Sequence, residues 1–417
     1  SISQDDDWRG DGMATVYAAL MLCCGAVQGV DGEATDREPF SQVTVAAHSD
    51  DAHHGLPCVA LLADGRLLTV WSRFAPGSSD FAVVGAYSPD SGRRWSPPEV
   101  LIDHPGLLDA DANIVVVDQR VLVTCTTVDF SHGIRTSATW CVRSEDCGRS
   151  WSDPYEIPMG HTYTCGKCQR AIQLRSGTLL MGYSWDVICE QGQAHQSEGE
   201  MDLRAGVMRS VDGGLTWTAG GDTHATYEKI AGGAVSGTDE PAIVECEDNS
   251  VYMLMRTGSR YLYEARSTDD GMTWQAVQPS PLLGTNAPAS LTRFAHQGDV
   301  GVLVVWDNAQ ERFPLCAAVS FDGCRSWSAP RDIGFPYTGG QASYPSCVQA
   351  ADGSLVAVWQ HDVPGGRDIR LARFTPEWVN TEDRVGTIQI GDWRAGAVFC
   401  SDLRNQVPVR SVYSTNP

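Results

Sequence analysis

Ser88-Pro89-Asp90-Ser91-Gly92-Arg93-Arg94-Trp95 sets a pattern, Ser-x-Asp-x-Gly-x-x-Trp, that the chain repeats. It returns at Ser144/Asp146/Gly148/Trp151, at Ser210/Asp212/Gly214/Trp217 and at Ser267/Asp269/Gly271/Trp274. A fifth copy, Ser320/Asp322/Trp327, has Cys324 at the glycine position and Gly323 one place earlier. Successive tryptophans lie 56, 66, 57 and 53 residues apart, a period that fits one four-stranded sheet per repeat and is typical of propeller arrays. Each copy reads as a tight turn between two strands. Ser and Asp bond the turn backbone, Gly supplies the positive φ, and Trp packs the turn onto its own sheet. These aspartates therefore read as structural.

Between the copies lie apolar runs joined by Asp-Gly or an equivalent, the signature of a hairpin. The clearest spans residues 61–71, and others fall at 115–123, 172–181, 243–255, 291–305 and 348–358. Six innermost hairpins and five turns predict an all-β fold, a six-bladed β-propeller of four-stranded antiparallel blades over residues 37–380. The alternating Phe40-Ser41-Gln42-Val43-Thr44-Val45 is expected to join the last blade and remove a free edge. Residues 1–36 fall outside the repeat. Their apolar run, 14–26, resembles the core of an export signal, although Asp5, Asp6, Asp7 and Asp11 precede it where basic residues are usual; a packed helix is the other reading. An export signal would place the protein in a secreted or periplasmic compartment. Residues 381–417 read as a C-terminal extension.

A formal net charge of −22 with only two lysines, Lys167 and Lys229, excludes a basic nucleic-acid stripe. The run 14–26 is too short to span a bilayer. An anionic ligand would therefore have to be met by a local cluster of arginines. Of fourteen cysteines, Cys125 and Cys141 are expected to face each other within one blade, and Cys165/Cys168 form a single Cys-x-x-Cys. With no second pair at ligand spacing, no metal and no cofactor is called for.

The repeated turn resembles the Asp box of the sialidase superfamily, whose members fold as six-bladed propellers. The resemblance covers residues 40–380. Ser343-Tyr344-Pro345, Asn286-Ala287-Pro288-Ala289-Ser290 and Met255-Arg256-Thr257 are most similar to its bacterial predicted-neuraminidase branch. In Asp239-Glu240-Pro241, followed sixteen residues later by Arg256, the resemblance implies a glutamate that assists the nucleophile and an arginine that grips the substrate carboxylate. Arg312 matches a second gripping arginine, and Tyr344 matches the nucleophile.

The chemistry explains the grouping. Sialic acid carries its carboxylate on the anomeric carbon, so an anionic nucleophile would meet like charge, whereas a neutral tyrosine does not. Arginines hold the carboxylate near an oxocarbenium-like transition state. Asp80, in the loop after Arg73, is the candidate proton donor. The first blade departs from the family pattern, with His53-His54-Gly55-Leu56-Pro57 where Arg-Ile-Pro is usual. Arg73 is a candidate replacement for the missing arginine, and His54 lies beside the gap. The implied function is a retaining exo-glycosidase acting on sialoglycoconjugates or a related acidic sugar. His53, His54, His161 and Tyr163 keep open a lyase acting on uronic-acid glycans, in which Tyr or His moves protons beside an arginine. A carbohydrate-binding propeller without catalysis is the third reading.

Overall fold

All five Trp motifs form the turn their residues predict. The serine Oγ accepts the backbone N–H four residues on at 2.8, 2.7, 2.9, 2.9 and 2.9 Å for Ser88, Ser144, Ser210, Ser267 and Ser320. Its hydroxyl donates to Oδ1 of the aspartate two residues on. That Oδ1 accepts a second backbone N–H, from Arg94, Ser150, Thr216, Thr273 and Ser326 in turn. The Thr216 and Thr273 hydroxyls, and then these amides, hold the Asp212 and Asp269 carboxyls down to about 2, so they are bound as acceptors and do no proton chemistry. The four turn glycines have φ between 76° and 92°, while Cys324 takes 63°, inside the small left-handed well open to L-residues.

The computed structural model describes residues 38–129, 135–193, 202–228, 234–284, 286–337 and 339–381. The expected N-terminal segment, 1–36, and the extension beyond 381 lie outside the described residues. Among those described, no helix is long and apolar enough to cross a membrane.

The fold is all-β and propeller-like, but the strands do not group into six separate blades. Four blades stand as individual sheets. One joins Phe40–Ala46 to Gly366–Phe374, Leu355–Val363 and Ala342–Gln349; a second joins Asp239–Glu245, Val251–Arg256, Tyr261–Ser267 and Gln278–Leu283. A third holds Ser290–His296, Asp299–Asp307, Leu315–Ser320 and Arg331–Gly334. The fourth is built on Leu179–Asp186, Leu203–Ser210 and Thr218–Thr223; its innermost strand is broken into Thr164–Cys165 and Ile172–Gln173.

The strands from His53–Leu61 to Tyr155–Ile157 make one sheet of eight. Their union rests on a single parallel bridge, Phe81 to Leu108, with the Phe81 N–H on the Leu107 carbonyl at 3.0 Å. The turn closed by Leu107 N–H on His104 O swings Leu108 against Phe81, a contact that no periodicity signals. Cys125 sits opposite Trp140, and Cys141 opposite Thr124. Neighbouring positions of a strand point to opposite faces, so the two cysteines do not meet.

The core lies between sheets. Each apolar cluster draws on strand groups adjacent in sequence, and one brings Val348, Val356, Val358 and Leu371 back onto Val59, Leu67, Trp71 and Val84, closing the array. Trp71, Trp306 and Trp359 are fully buried; truncating any of them to alanine costs about 3–5 kcal/mol. As expected, Phe40–Ala46 pairs antiparallel with Gly366–Phe374.

Candidate functional site

Innermost strands enter the site through the same irregularity. The register slips between Gly55 and Cys58, Ala110 and Asn113, Asp239 and Ala242, and Ser343 and Ser346. Inside each slip one residue is left-handed: Leu56 at φ 53°, Asp111 at 52°, Glu240 at 44° and Tyr344 at 55°. An extra residue re-aims a side chain at the cost of local strain, an arrangement common beside active sites.

The bulge at Glu240 lies at the strand end paired with Arg256, since Asp239 is in register with it. Arg256 Nη1 donates to Glu240 Oε2 at 2.5 Å and to Tyr344 Oη at 3.2 Å. Its Nε donates to Asn286 Oδ1 at 2.6 Å. Arg312 lies over the Tyr344 ring, 5.3 Å from its centroid, and donates from Nη2 to the Asn286 carbonyl at 2.9 Å. Asn286 thus ties the two guanidinium groups together. Four of the residues expected from sequence, Tyr344, Glu240, Arg256 and Arg312, meet in one place although they come from three sheets.

Burial, and next the negative charge of Glu240, push the Tyr344 hydroxyl well above its ordinary range, against the pull of Arg256 and Arg312. The tyrosine is neutral until a base takes its proton. Asp239 is pushed up to about 7, first by burial and then by Glu240, with Arg256 opposing. Its Oδ1 accepts the Glu240 N–H at 2.8 Å, and Ser184 Oγ accepts it at 3.0 Å. The backbone that aims Glu240 is therefore held from both sides.

Three sequence candidates stand elsewhere. Asp80 is an exposed loop residue whose Oδ1 accepts the Gly106 N–H at 2.9 Å, and it hydrogen-bonds to none of the four. Arg73 is half-buried in register between His54 and Ala82 and has no hydrogen-bond or ion-pair partner among the described residues. His54 is a packing residue. It is buried, its Nδ1 accepts the Trp71 indole N–H at 3.0 Å, and its Nε2 lies 3.1 Å from the Ala47 carbonyl. With both ring nitrogens occupied, it is not placed to bind a ligand.

At Gly55, where the resemblance implies an arginine, a side chain would have to displace the end of Gln360. A Cβ there would stand 3.1 Å from Gln360 Oε1, which accepts the Leu56 N–H at 3.2 Å. The amide continues a polar chain. Gln360 Nε2 donates to Ser343 Oγ at 3.2 Å, Ser343 donates to Gln341 Oε1 at 2.8 Å, and Arg312 Nη1 donates to that same oxygen at 3.1 Å. Arg367 also stands beside Gly55, its Cδ 3.9 Å from that same Cβ position, with its Nε donating to Asp362 Oδ1 at 2.6 Å.

A floor that the sequence reading missed is the loop interrupting the third innermost strand. The Gly166 N–H donates to Asp111 Oδ2 at 2.9 Å, and Gln169 Nε2 donates to the Pro345 carbonyl at 3.0 Å. A Cβ on Gly166 would press on the Glu240 N and Cα at 3.2 Å. Lys167 is fully buried, with Nζ on Thr164 Oγ1 at 3.0 Å. Burial holds the Asp111 carboxyl above its ordinary value, with the Lys167 charge opposing. The one hint in the sequence was a polar Asp109-x-Asp111-x-Asn113 entry to an otherwise apolar hairpin.

The profile of the BNR repeat-like domain matches residues 65–357. The chain belongs to the BNR repeat-like family. No curated protein matches it. Among solved structures, this BNR repeat-like chain is similar to a protein of unknown function from Dyadobacter fermentans, with TM-score 0.63 and 19% identity over 80% of this chain and 98% of that one. It is also similar to a Hadza microbial sialidase, with TM-score 0.64 and 16% identity over 78% of this chain and 66% of that one. A third is the Trypanosoma rangeli sialidase in complex with sialic acid, with TM-score 0.62 and 15% identity over 82% and 60%. The BNR repeat-like chain thus spans less than two thirds of the trypanosomal enzyme. At these identities the likeness concerns the fold.

Proposed function

We propose that the protein is a retaining exo-glycosidase that releases sialic acid, or a related acidic sugar, from a glycoconjugate. Within this reading the eight-stranded sheet counts as two blades, four strands on either side of the Phe81–Leu108 bridge, and the fold as a six-bladed propeller. The observation that carries the proposal is Arg256 Nη1 lying between Glu240 and Tyr344, at 2.5 and 3.2 Å. A buried tyrosine, a carboxylate and two arginines in contact suit a nucleophile that must be neutral on approach and anionic on attack.

In this mechanism the sugar carboxylate lies between Arg256 and Arg312, which Asn286 holds at a fixed spacing. Binding displaces part of the Arg256 bond to Glu240, freeing that carboxylate to take the Tyr344 proton. Tyr344 Oη attacks the anomeric carbon, and the leaving oxygen takes its proton from Asp80 on condition that the exposed loop carrying Asp80 closes over the bound sugar, since in this structure Asp80 stands apart from the four. Water then releases the sugar, with net retention after two displacements. The lyase reading loses support because no histidine hydrogen-bonds to Tyr344, Arg256 or Arg312 among the described residues.

The test is product analysis on fluorogenic sialosides and on uronic-acid polysaccharides. Free sialic acid, lost in Tyr344→Phe, supports the proposal; unsaturated ultraviolet-absorbing ends would replace it with elimination. Saturable sugar binding with no turnover would leave a binding module.

A further inference from the structure

Cys324 breaks a packing rule that the other Trp turns keep. A Cβ on the turn glycine would stand 3.2 Å from Leu371 at Gly92, 2.7 Å from the Tyr87 hydroxyl at Gly148, 3.0 Å from Leu122 at Gly214 and 2.9 Å from Val207 at Gly271. Each neighbour fills the space the glycine leaves. At the fifth turn the neighbour is small and sulfur-bearing. Cys246 follows strand Asp239–Glu245 of the preceding sheet, and it shares one core cluster with Cys324. The Cys246 thiol donates to the carbonyl of Gly323, the residue that precedes Cys324, at 3.7 Å.

The surroundings activate one of them. Arg266 Nη1 donates to Cys246 Sγ at 3.6 Å, while its Nη2 donates to the Gly323 carbonyl at 2.6 Å. The neighbouring Cys324, and after it Arg266, hold the Cys246 thiol below the ordinary thiol range, against burial and Asp248. Burial pushes other cysteines the opposite way, Cys58 up to about 11 and Cys347 up to about 12. Cys246 and Gly323 also line a cleft of about 270 Å³, in which Arg293 is paired with Glu245 and Glu247 and Arg325 with Asp248, so the cleft gives a small disulfide a path to the turn without a net positive charge.

We propose that Cys246 and Cys324 form a redox-responsive pair that closes to a disulfide between two sheets, with a small disulfide of the glutathione type as oxidant. The Cys246 thiolate attacks one sulfur of the oxidant, forming a mixed disulfide and expelling one small thiolate. Cys324 gives its proton to that thiolate and attacks Cys246 Sγ, expelling the second. The protein loses two protons and two electrons, and the oxidant takes them up to become two thiols. The bond staples the hairpin end of the Asp239–Glu245 strand to the turn after Leu315–Ser320.

The test uses the full chain treated with glutathione disulfide, followed by non-reducing peptide mapping and thermal unfolding. The expected result is a Cys246–Cys324 linked peptide before any other described cysteine reacts, a midpoint raised by a few °C, and reversal by a dithiol reductant. Cys324→Gly restores the residue found at the other four turns. It should fold, show no midpoint rise on oxidation, and keep Cys246 as a glutathione adduct. Oxidation that links a different pair, or leaves both thiols free while others react, overturns the proposal, as does an undiminished midpoint rise in Cys324→Gly.

Discussion

The two ends of the strands use the same backbone device for different purposes. At one end the five Trp turns each place two left-handed residues in succession, and nearly the same side chains recur every time. At the other end the bulges place one left-handed residue per strand, and there the side chains are Leu56, Asp111, Glu240 and Tyr344. Strand register separates the sets: Ser267 pairs with Val251, which pairs with Glu245, six residues along its strand from Asp239 at the Asp239–Arg256 end. Where a repeated conformation keeps its residues, they are satisfying their own backbone. Where it varies them, it is presenting them to something else.

The sharpest way to break this contrast is to exchange function at the variable end. Tyr344→Phe keeps the ring under Arg312 and removes only the hydroxyl. It should lower kcat on a sialoside by roughly 10³-fold or more while the thermal midpoint stays within a few °C of the parent; retained turnover would remove Tyr344 from the chemistry. Arg312→Ala should cost about 10–100-fold in kcat/KM, mostly through KM, because a charge-assisted contact to the carboxylate is lost; steady-state kinetics separate the two parameters.

The constant end should respond in stability and not in kinetics. Asp269→Ala strips acceptors from the Thr273 amide and hydroxyl and should lower stability by about 1–2 kcal/mol with KM unchanged, read by denaturant unfolding beside activity. A smaller effect separates the ends by pH. Asp239, raised to about 7, holds a proton in the folded chain that the unfolded chain releases near pH 4. Its contribution is complete below about pH 4 and is lost as pH rises through about 7. Asp212 and Asp269, held at about 2, contribute above about pH 4 and lose that contribution as pH falls towards 2. Unfolding midpoints from acid to neutral pH should show both slopes, and Asp239→Asn should flatten the neutral one alone. Least of all, Gly55→Ala should disturb Gln360 and, through Ser343 and Gln341, the seat of Arg312; a KM rise of less than about tenfold is expected.

What could be read from sequence follows the same division. The Trp turns were legible because Ser, Asp, Gly and Trp each do a local job within eight residues. Glu240 and Arg256 were legible because a hairpin fixes which residues face each other. The union of eight strands into one sheet was not, since it hangs on the Phe81–Leu108 bridge. Nor was the fate of His54: a histidine beside a gap in a motif looks like a ligand until the Trp71 indole is seen to claim it. Asn286, the floor from Gly166 to Gln169, and the Gln360 amide over Gly55 act across 26 to more than 300 residues of chain, a separation at which spacing carries no information.

Pairing the first described strand with the last has a consequence for biosynthesis. Phe40–Ala46 leaves the ribosome early, yet its partner Gly366–Phe374 follows only after some three hundred further residues. Throughout that interval both edges of the growing array are open to other chains, so translation products that stop short of Phe374 should aggregate or be degraded, and only a chain that has passed that strand can seal itself.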